Sequence, residues 1–372
     1  MNFEEGLAVT QERLAGEAGS MAEVLERLRG QISPVLIGDR EWESVLERAR
    51  DLPAAVAAFP FGFELPLHET RPGADLGVSV VGGTGPAAYF EKQARLDKPV
   101  PSASAIAQLL EQTEPDDSPL CQVVGRKMML EYDVASRPDD APADPGIFLR
   151  PAERPMVGDG RCLGDVGTVL DALVSAVGWS PDAAERQHAE RIYLAQRPDT
   201  RVESFGAFPS RERALRLAVT GFRNSQDLAA FLERAGWPGQ RPAAAAAVSR
   251  FEKHGGFVAL GAHFDVLSGG LGPTLGLSFI AKERVSKDPR YWLDDPRLWN
   301  TFVDGLRTEG LGVPQKLSAL SGWTAGPTTL FSRSGQFVLL RGIHHFKIVL
   351  DGDGIGQVKG YVYMVLIAAP TS

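Results

Sequence analysis

The C-terminal stretch Gln336–Ala368, QFVLLRGIHHFKIVLDGDGIGQVKGYVYMVLIA, constrains the fold more than any other part of the chain. Two runs rich in Val, Ile, Leu and aromatic residues flank DGDGIG, which predicts a long β-hairpin with a Gly/Asp turn. Because side chains alternate along a strand, basic, imidazole and phenolic groups gather on one face of each arm. These are His345 and Lys347 in the first arm and Lys359, Tyr361 and Tyr363 in the second. Such a face contacts either solvent or a hydrated cavity, and the function depends on which.

Four further strand pairs are predicted upstream of this hairpin, because runs of β-branched and aromatic residues are separated there by turn-forming residues. They are FGFELPLHE and LGVSVV (61–69 and 76–81), KMMLEYDV and GIFLRP (127–134 and 146–151), RIYLAQ and ALRLAVTGF (191–196 and 214–222), and FVALGAHFDVL and LGLSFIAKE (257–267 and 275–283). In the third pair, the segment through Pro198 and Pro209 is predicted to be a loop.

Helical periodicity of the apolar residues fills the intervals between the strand pairs. Helices are predicted at 3–29, 41–50, 89–98, 102–111, 163–176, 182–190, 226–235, 243–254, 298–309 and 316–320. Antiparallel pairs joined by helices do not form a doubly wound parallel sheet. We therefore expect an α+β fold, a ten-stranded antiparallel β-barrel with the helices outside, because closing the sheet removes both of its edges. The whole chain, 1–372, is predicted to be a single domain, with the N-terminal helices of residues 1–58 packed outside the barrel.

The composition restricts the classes of function. The chain of 372 residues has a formal net charge of -8 and a pI near 5.4, which argues against a general nucleic-acid binder. No apolar run is long enough to span a membrane, and no signal peptide is visible. The two cysteines, Cys121 and Cys162, have no metal-binding spacing and indicate a reducing cytoplasm. The abundance of Ala, Gly, Pro and Arg is typical of a GC-rich bacterial source.

Carboxylates on two of the predicted strands are candidates for acid–base chemistry. Glu64 has apolar neighbours in FGFELPL, so burial would raise its pKa and allow it to act as a base or an orienting group; the alternative is a strand-edge glutamate in solvent. Glu131 and Asp133 share one strand face. They form either an acid–base pair or metal ligands or, as the pattern favours, part of a face exposed to solvent.

Other polar residues could complete an anion-binding ring if they point inward. Arg191 and Tyr193 share a face of the third strand pair, and Arg216 lies on its second strand. If these side chains point outward, they are ordinary edge-protecting charges. His263 and Asp265 share a face at a spacing seen among metal ligands, but no third ligand is identifiable, so no metal site is predicted.

Two further motifs are interpreted as structural. His344 and His345 are adjacent, so in a regular strand they point to opposite faces and cannot bind the same metal ion. VGGTGPAAYF (81–90) matches a dinucleotide-binding glycine pattern, but no second strand ending in an acidic residue follows. It is predicted to be a strand-to-helix turn.

The arrangement resembles the ABBA-type prenyltransferases, whose repeated α-β-β-α units surround an antiparallel barrel. FGFELPLHE with LGVSVV is similar to the first hairpin of the indole prenyltransferases, in which a strand glutamate faces the aromatic substrate. KMMLEYDV and GIFLRP resemble the second hairpin, and HFKIVLDGDGIGQVKGYVYM resembles the closing one. The resemblance implies a cytoplasmic transferase of bacterial specialised metabolism that joins a prenyl diphosphate to an aromatic or peptide acceptor. It also implies that Glu64 is catalytic, that Lys and Arg hold diphosphate and that Tyr residues shield the allylic cation.

The chain departs from the family at several positions that usually carry Lys or Arg beside Tyr. The second hairpin has GIFL there, the fourth has only Lys282 near the end of LGLSFIAK, and only Lys359-Gly360-Tyr361 keeps the pair. Mg²⁺ is compatible with diphosphate binding, but no Asp-rich motif requires it. The missing pairs favour a second hypothesis, a non-catalytic accessory protein whose barrel binds a peptide or small molecule in a biosynthetic assembly.

Overall fold

The computed structural model describes residues 3–97, 101–134, 144–158, 162–283, 289–324, 326–352 and 354–369. The strands are β1 (Phe61–Pro66), β2 (Asp75–Val81), β3 (Lys127–Tyr132), β4 (Gly146–Leu149), β5 (Arg201–Ala207), β6 (Leu215–Phe222), β7 (Ala259–Leu267), β8 (Gly270–Leu271), β9 (Leu275–Ile280), β10 (Thr328–Ser332), β11 (Gly335–Asp351) and β12 (Gly354–Ala368). The helices are α1 (Phe3–Glu17), α2 (Met21–Leu28), α3 (Asp39–Arg50), α4 (Gly85–Ala94), α5 (Pro101–Thr113), α6 (Pro119–Val124), α7 (Leu163–Ala176), α8 (Ala183–Leu194), α9 (Ser225–Ala235), α10 (Arg241–Glu252), α11 (Asn300–Thr308) and α12 (Pro314–Trp323).

Ten of the strands form a closed antiparallel barrel, which confirms the predicted fold. The hydrogen-bonded order runs from β11 through β12 and β1 to β7, and β9 closes the ring because it pairs with both β7 and β11. Strands β8 and β10 are short additions paired with β7 and β11. Closure leaves none of the ten barrel strands with a free edge.

The two ends of the barrel differ in their connections. The turns within each hairpin, after β1, β3, β5, β7 and β11, lie at one end, here called the hairpin end. The helical segments after β2, β4, β6 and β9 begin at the other end, here called the helical end, and return outside the barrel. In the part of the chain that the structure describes, no helix is long and apolar enough to cross a membrane.

The hydrophobic core lies between the outer face of the barrel and the helices. Outward-facing strand residues are almost fully buried, and an aromatic cluster of Phe251, Phe279, Trp299, Phe302 and Phe346 joins α10 and α11 to β9 and β11. Burying one such side chain stabilises the fold by about 1.5–3 kcal/mol. The apolar face of each strand thus packs against the helices, and the opposite face points into the barrel.

The N-terminal segment packs from outside against β1 and against the closing hairpin of β11 and β12. The ring of Trp42 in α3 lies 6.2 Å from that of Phe63 in β1. Thr10 in α1 accepts a hydrogen bond from the backbone N–H of Ala368 at 3.1 Å, and the guanidinium of Arg341 donates to the carbonyl of Gln31 at 2.8 Å. These contacts attach residues at the start of the chain to strands at its end.

One of the two segments predicted to form the third strand pair is not a strand. RIYLAQ lies mostly in α8, which begins at an Asp182 cap and buries Ala189, Ile192 and Tyr193 at helical spacing. The strand is instead β5, within the predicted loop, where a bulge between Val202 and Ser204 interrupts the alternation. The number of barrel strands was therefore predicted correctly, but one was assigned to the wrong segment.

Candidate active site in the barrel lumen

The barrel encloses a cavity of about 750 Å³ lined by side chains from all ten strands. This volume is within the range of small-molecule sites in proteins. Gly62, Gly77, Gly261 and Gly276 are among the lining residues, and at Gly62 and Gly276 the neighbouring strand or the side chain of Lys347 occupies the space that a Cβ would need. The lining includes six carboxylates and six Lys or Arg residues among the residues described. The interior consequently carries charged groups of both signs in near balance.

Glu64 lies at the centre of a cross-strand hydrogen-bond cluster. Tyr361 is its direct neighbour on β12, and the phenol donates to one carboxylate oxygen while the ammonium of Lys359 donates to the other at 2.5 Å. Burial alone would raise the pKa of Glu64, but the charges of Lys359 and Lys347 outweigh it and lower that pKa. Burial and the carboxylate both raise the pKa of Tyr361. Glu64 is therefore an ionised hydrogen-bond acceptor beside a neutral phenol.

The predicted face of the closing hairpin is confirmed, since His345 pairs with Tyr361 and Lys347 with Lys359 across the lumen wall. The rings of His345 and Tyr361 stack with centroids 4.1 Å apart. Burial, aided by the charge of Lys347, lowers the pKa of His345 to about 3, so the imidazole is neutral. Its Nε2 atom is buried and has no hydrogen-bond partner among the described residues.

Lys347 is the most available cation of this hairpin. Burial lowers the pKa of its ammonium to about 8, and it forms no ion pair or hydrogen bond within the described part of the chain. The prediction that His344 and His345 point to opposite faces is wrong. A bulge between Ile343 and His345 breaks the alternation, and the two Nδ1 atoms lie 2.8 Å apart. Both rings line the cavity.

The favoured assignment of Glu131 and Asp133 to a solvent-exposed face is also wrong. Both line the lumen, because the outer face of β3 is covered by helices. Burial and the carboxylates of Glu64 and Asp75 raise the pKa of Glu131 to about 7. Asp133 forms a two-pronged ion pair with Arg211, with 2.8 Å between Nε and Oδ2. The lumen thus contains one carboxylate that can exchange a proton near neutral pH.

Arg216, predicted as an inward cation, does line the cavity, but it is paired. Its Nε atom lies 3.1 Å from Asp265, and its guanidinium stands over the ring of Phe208 at 4.5 Å. His263 also faces the lumen, where its Nε2 atom lies 2.7 Å from the hydroxyl of Ser278, and burial lowers the pKa of its imidazole. Among the described residues, no group of three or more potential ligands could hold a metal ion.

Three predicted binding residues lie outside the cavity. Arg191 and Tyr193 are in α8, where Arg191 donates to the carbonyl of Arg234 at 3.2 Å and Tyr193 is fully buried. Their predicted position on a lumen face depended on a strand that does not form. Lys282 instead donates to Asp294 at 3.2 Å and to the carbonyl of Tyr291 at 2.9 Å.

Lys282 and Tyr363 hold the same segment at the helical end of the lumen. Tyr363 lines the cavity as predicted, and its hydroxyl donates to Asp294 at 2.8 Å. The Trp292 ring packs edge-on against Tyr363, with centroids 5.0 Å apart, and lines the cavity too. Lys282 therefore positions a wall of the cavity from outside rather than contacting its contents.

Basic residues at the helical end were missed by the sequence analysis. Lys127 and Arg150 line the cavity there, together with Glu203, which pairs with Arg150. Arg201 lies 3.7 Å from the same carboxylate. Lys127 has the same alternation as Glu131, so the inward face of β3 would have revealed it. Arg150 lies within the predicted strand GIFLRP, two residues after Phe148, and both residues line the cavity.

Solved structures with the same fold were found by structural comparison. The chain matches 5-dimethylallyl tryptophan synthase from Streptomyces coelicolor in complex with DMASPP and Trp, at 14% identity and a TM-score of 0.50, over 97% of this chain and 93% of that one. It matches NotF in complex with brevianamide F and DMSPP at 11% identity and a TM-score of 0.51, over 97% and 96%. A 6-dimethylallyl tryptophan synthase matches at 13% identity and a TM-score of 0.50, over 99% and 98%.

The chain has the ABBA prenyltransferase fold. The resemblance indicated by the sequence is thus confirmed at the level of the fold. No family model and no curated protein matches the sequence. At identities of 11–14% the structural matches show the fold alone.

Proposed function

We propose that this protein is a prenyltransferase-like enzyme of bacterial specialised metabolism that alkylates an aromatic acceptor inside the barrel lumen. The observation that carries the proposal is the Glu64–Lys359–Tyr361 cluster, an ionised carboxylate on the wall of a cavity of about 750 Å³. Structural neighbours crystallised with DMASPP and Trp, or with DMSPP and brevianamide F, support this class of substrates. Aromatic amino acids and small peptides containing them are the proposed acceptors.

In the proposed reaction, the allylic C–O bond breaks and its electron pair leaves with diphosphate. The π electrons of the acceptor ring form the new C–C bond, and the proton on the alkylated carbon passes to a carboxylate, which restores aromaticity. Aromatic faces stabilise a cation in a site from which water is displaced. Tyr361, Trp292 and Phe148 line the cavity and supply such faces.

The two central carboxylates have different proposed roles. Glu64 is held ionised by its cationic neighbours and is suited to accept a hydrogen bond from a ring N–H of the acceptor. Glu131, whose pKa is about 7, is the better acceptor for the released proton, since a general base is most effective when its pKa is near the working pH. Mg²⁺ is not needed for either role. A cytoplasmic location is proposed from the low cysteine content.

The experiment is to incubate the purified protein with dimethylallyl diphosphate and tryptophan, or a tryptophan-containing cyclic dipeptide, and to analyse the products by mass spectrometry. We expect an acceptor that has gained one isoprene unit and an equal amount of released diphosphate. Glu64→Gln is expected to reduce the rate by about a hundredfold, whereas Asp304→Asn, on the exposed face of α11, leaves it unchanged. Absence of product with every acceptor would refute prenyl transfer.

A second candidate function is that of an accessory protein that binds a small molecule or peptide without reaction. This function is favoured because carboxylates pair with most of the lumen cations, which leaves fewer of them to bind a diphosphate. Arg211 pairs with Asp133, Arg216 with Asp265, Arg150 with Glu203 and Lys359 with Glu64. Calorimetry separates the two functions, because an accessory protein would bind an acceptor-like ligand in the lumen but would bind neither dimethylallyl nor geranyl diphosphate.

A further inference from the structure

Lys347 differs from the neighbouring lumen cations because it has no partner in the described part of the chain. Arg211, Arg216 and Lys359 each form an ion pair with a carboxylate. Lys347 lines the same cavity but forms no ion pair or hydrogen bond with any described residue. An ammonium that is removed from water without a counter-ion is unfavourable, because its lost hydration is not compensated. The amine of Lys347 is therefore available to a ligand.

The side chain of Lys347 lies across β9 beside Gly276. A Cβ at Gly276 would clash with Cε of Lys347 and would lie 3.3 Å from its Nζ, so glycine at this position makes room for the amine. Gly276 pairs with His263 on β7, and the Cβ of His263 lies 3.2 Å from the same point. The amine is thus held between β9 and β7, close to His263.

The surroundings of this amine favour its neutral form. Burial lowers the pKa of Lys347 to about 8, and the charges of Lys359, its direct neighbour on β12, and of Arg216 on β6 act in the same direction. Glu64 on β1 and Glu131 on β3 raise the pKa and offset only part of this effect. A lysine that is desolvated beside another cation is an activated nucleophile, because a larger fraction of it is unprotonated near neutral pH.

A hydroxyl and an imidazole stand next to the amine. Ser278 is the direct neighbour of Lys347 in the register of β9 and β11, and its hydroxyl oxygen lies 2.7 Å from Nε2 of His263. Burial lowers the pKa of His263, so the imidazole is neutral and can exchange a proton with the hydroxyl. All three side chains line the same cavity. A nucleophilic amine beside a proton-exchanging pair is the arrangement that condensation with a carbonyl compound requires.

We propose that Lys347 binds a small aromatic aldehyde covalently, as an imine formed inside the lumen. The ring of the aldehyde is expected to lie near His345, which shares the strand face of Lys347 and stacks on Tyr361 with centroids 4.1 Å apart. This activity is distinct from prenyl transfer and does not rest on it.

The proposed condensation balances without a further reactant. The unprotonated amine of Lys347 attacks the carbonyl carbon, the C–N bond forms, and the π electron pair of the carbonyl moves to its oxygen. A proton passes from the nitrogen to that oxygen, which gives a carbinolamine. Its C–O bond then breaks as Ser278, in exchange with His263, donates a proton, and water leaves. The remaining N–H proton returns to the Ser278–His263 pair, so the products are a neutral imine and one water molecule.

The test is reductive trapping of the imine in the full chain. The protein is incubated at pH 7 with benzaldehyde and sodium cyanoborohydride, and the modified lysines are located by peptide mass spectrometry. We expect a benzyl group on Lys347 to form at least about tenfold faster than on Lys253, which is exposed at the end of α10, because an exposed lysine is almost fully protonated at this pH. No adduct on Lys347, or one that forms no faster than on Lys253, would overturn the proposal.

Two other lysines of the same chain serve as internal controls. Lys316 is buried, but its ammonium donates to the carbonyls of Pro66 and Arg71 at 2.6 Å each. Lys359 lines the lumen, but its ammonium donates to Glu64. We expect neither to be modified in the time that Lys347 takes to react. Modification of either at the rate of Lys347 would show that an unpaired amine is not what directs the reaction.

A pair of serine variants tests the proton transfer. Ser278→Ala should slow trapping on Lys347 at least about fivefold while the final extent of modification stays the same. The matched control is Ser79→Ala, since Ser79 lines the same lumen but donates to the carbonyl of Pro60 at 3.4 Å. It should leave the trapping rate within about twofold of the wild type. Equal rates in both variants would remove Ser278 from the mechanism.

Substitutions of Lys347 separate the nucleophile from the charge. Lys347→Arg keeps the cation but should give no adduct at this position. Lys347→Met removes a charge that has no ion-pair partner, so it should unfold at the same temperature as the wild type or higher. Lower thermal stability of Lys347→Met would show that the ammonium is a structural counter-ion and would contradict the proposal.

Failure of the imine site can be distinguished from failure of prenyl transfer. An adduct on Lys347 in a protein that forms no prenylated product would support the imine site and refute the transferase. Prenylated product from a protein in which benzaldehyde gives no adduct on Lys347 would refute the imine site and leave the transferase intact.

Discussion

The ion pair between Glu64 and Lys359 provides a quantitative test of the lumen chemistry. Glu64→Gln removes the carboxylate charge and leaves the ammonium of Lys359 opposite Lys347, its direct neighbour in the register of β11 and β12. Lys359→Met removes the ammonium, and the double variant removes both. A double-mutant cycle of the free energies of unfolding then isolates the coupling between the two side chains.

The expected magnitude follows from geometry and exposure. The Nζ–Oε1 distance is 2.5 Å, and the side chains are 24% and 8% exposed for Lys359 and Glu64. A hydrogen bond to a charged group contributes about 1.5–3 kcal/mol, and partial exposure of the lysine places this one at the lower end. We expect Glu64→Gln to cost about 2–3 kcal/mol, since it removes the carboxylate that pairs with Lys359 and offsets the charge of Lys347, and the coupling energy to be about 1.5 kcal/mol.

Urea unfolding followed by tryptophan fluorescence measures all four proteins. The matched control is the exposed pair of Asp304 and Arg307 on α11, with side chains 67% and 37% exposed, for which the coupling should be below about 0.5 kcal/mol. The double variant Glu64→Gln/Lys359→Met should be more stable than Glu64→Gln alone. A coupling energy equal to that of the surface pair would refute the description of this cluster as an enclosed charge pair.

Three other consequences can be measured. Burial and neighbouring carboxylates raise the pKa of Glu131 to about 7, so folding favours its protonated form and the free energy of unfolding decreases as pH rises from about 4.5 to 7. In urea unfolding at a series of pH values, Glu131→Gln should make this decrease smaller by about 2 kcal/mol. The same pH dependence of the free energy of unfolding in the variant and the wild type would contradict this prediction. A Cβ at Gly62 would lie 1.9 Å from the carbonyl oxygen of Val362, so Gly62→Ala should destabilise the protein by about 3 kcal/mol or more. The control is Gly77→Ala, which should change stability little because the nearest atom to the added Cβ is 3.9 Å away. Equal losses of stability in chemical unfolding would contradict this prediction. Burial and the charge of Lys347 lower the pKa of His345 to about 3, so its ring NMR signals should not titrate between about pH 5 and pH 8, and a midpoint within that window would show that the imidazole is not enclosed.

The closing hairpin and the barrel could be predicted from the sequence because each follows from a simple physical rule. Long β-branched runs around a Gly/Asp turn specify β11 and β12, and ten antiparallel strands among helices are best satisfied by closure. The shared face of Lys359 and Tyr361 follows from alternation alone, whereas the sequence left open whether that face contacts solvent or the cavity that it lines.

The errors have local physical causes. RIYLAQ contains strand-forming residues, but its buried positions continue the helical spacing of α8. The segment is therefore helical, because this spacing buries one face against the rest of the protein. Bulges in β5 and β11 cannot be seen in a pattern that assumes strict alternation. Glu131 was predicted to face bulk solvent because the polar face of an antiparallel strand usually does, whereas in this barrel the polar strand face lines the enclosed cavity.

The most direct test of the central claim is a crystal structure of the protein with dimethylallyl thiolodiphosphate and tryptophan bound together. We predict both ligands inside the barrel, with the indole N–H within hydrogen-bond distance of Glu64 and the allylic group beside Tyr361. Ligands bound only outside the barrel, at saturating concentrations of both, would contradict the assignment of the lumen as the active site.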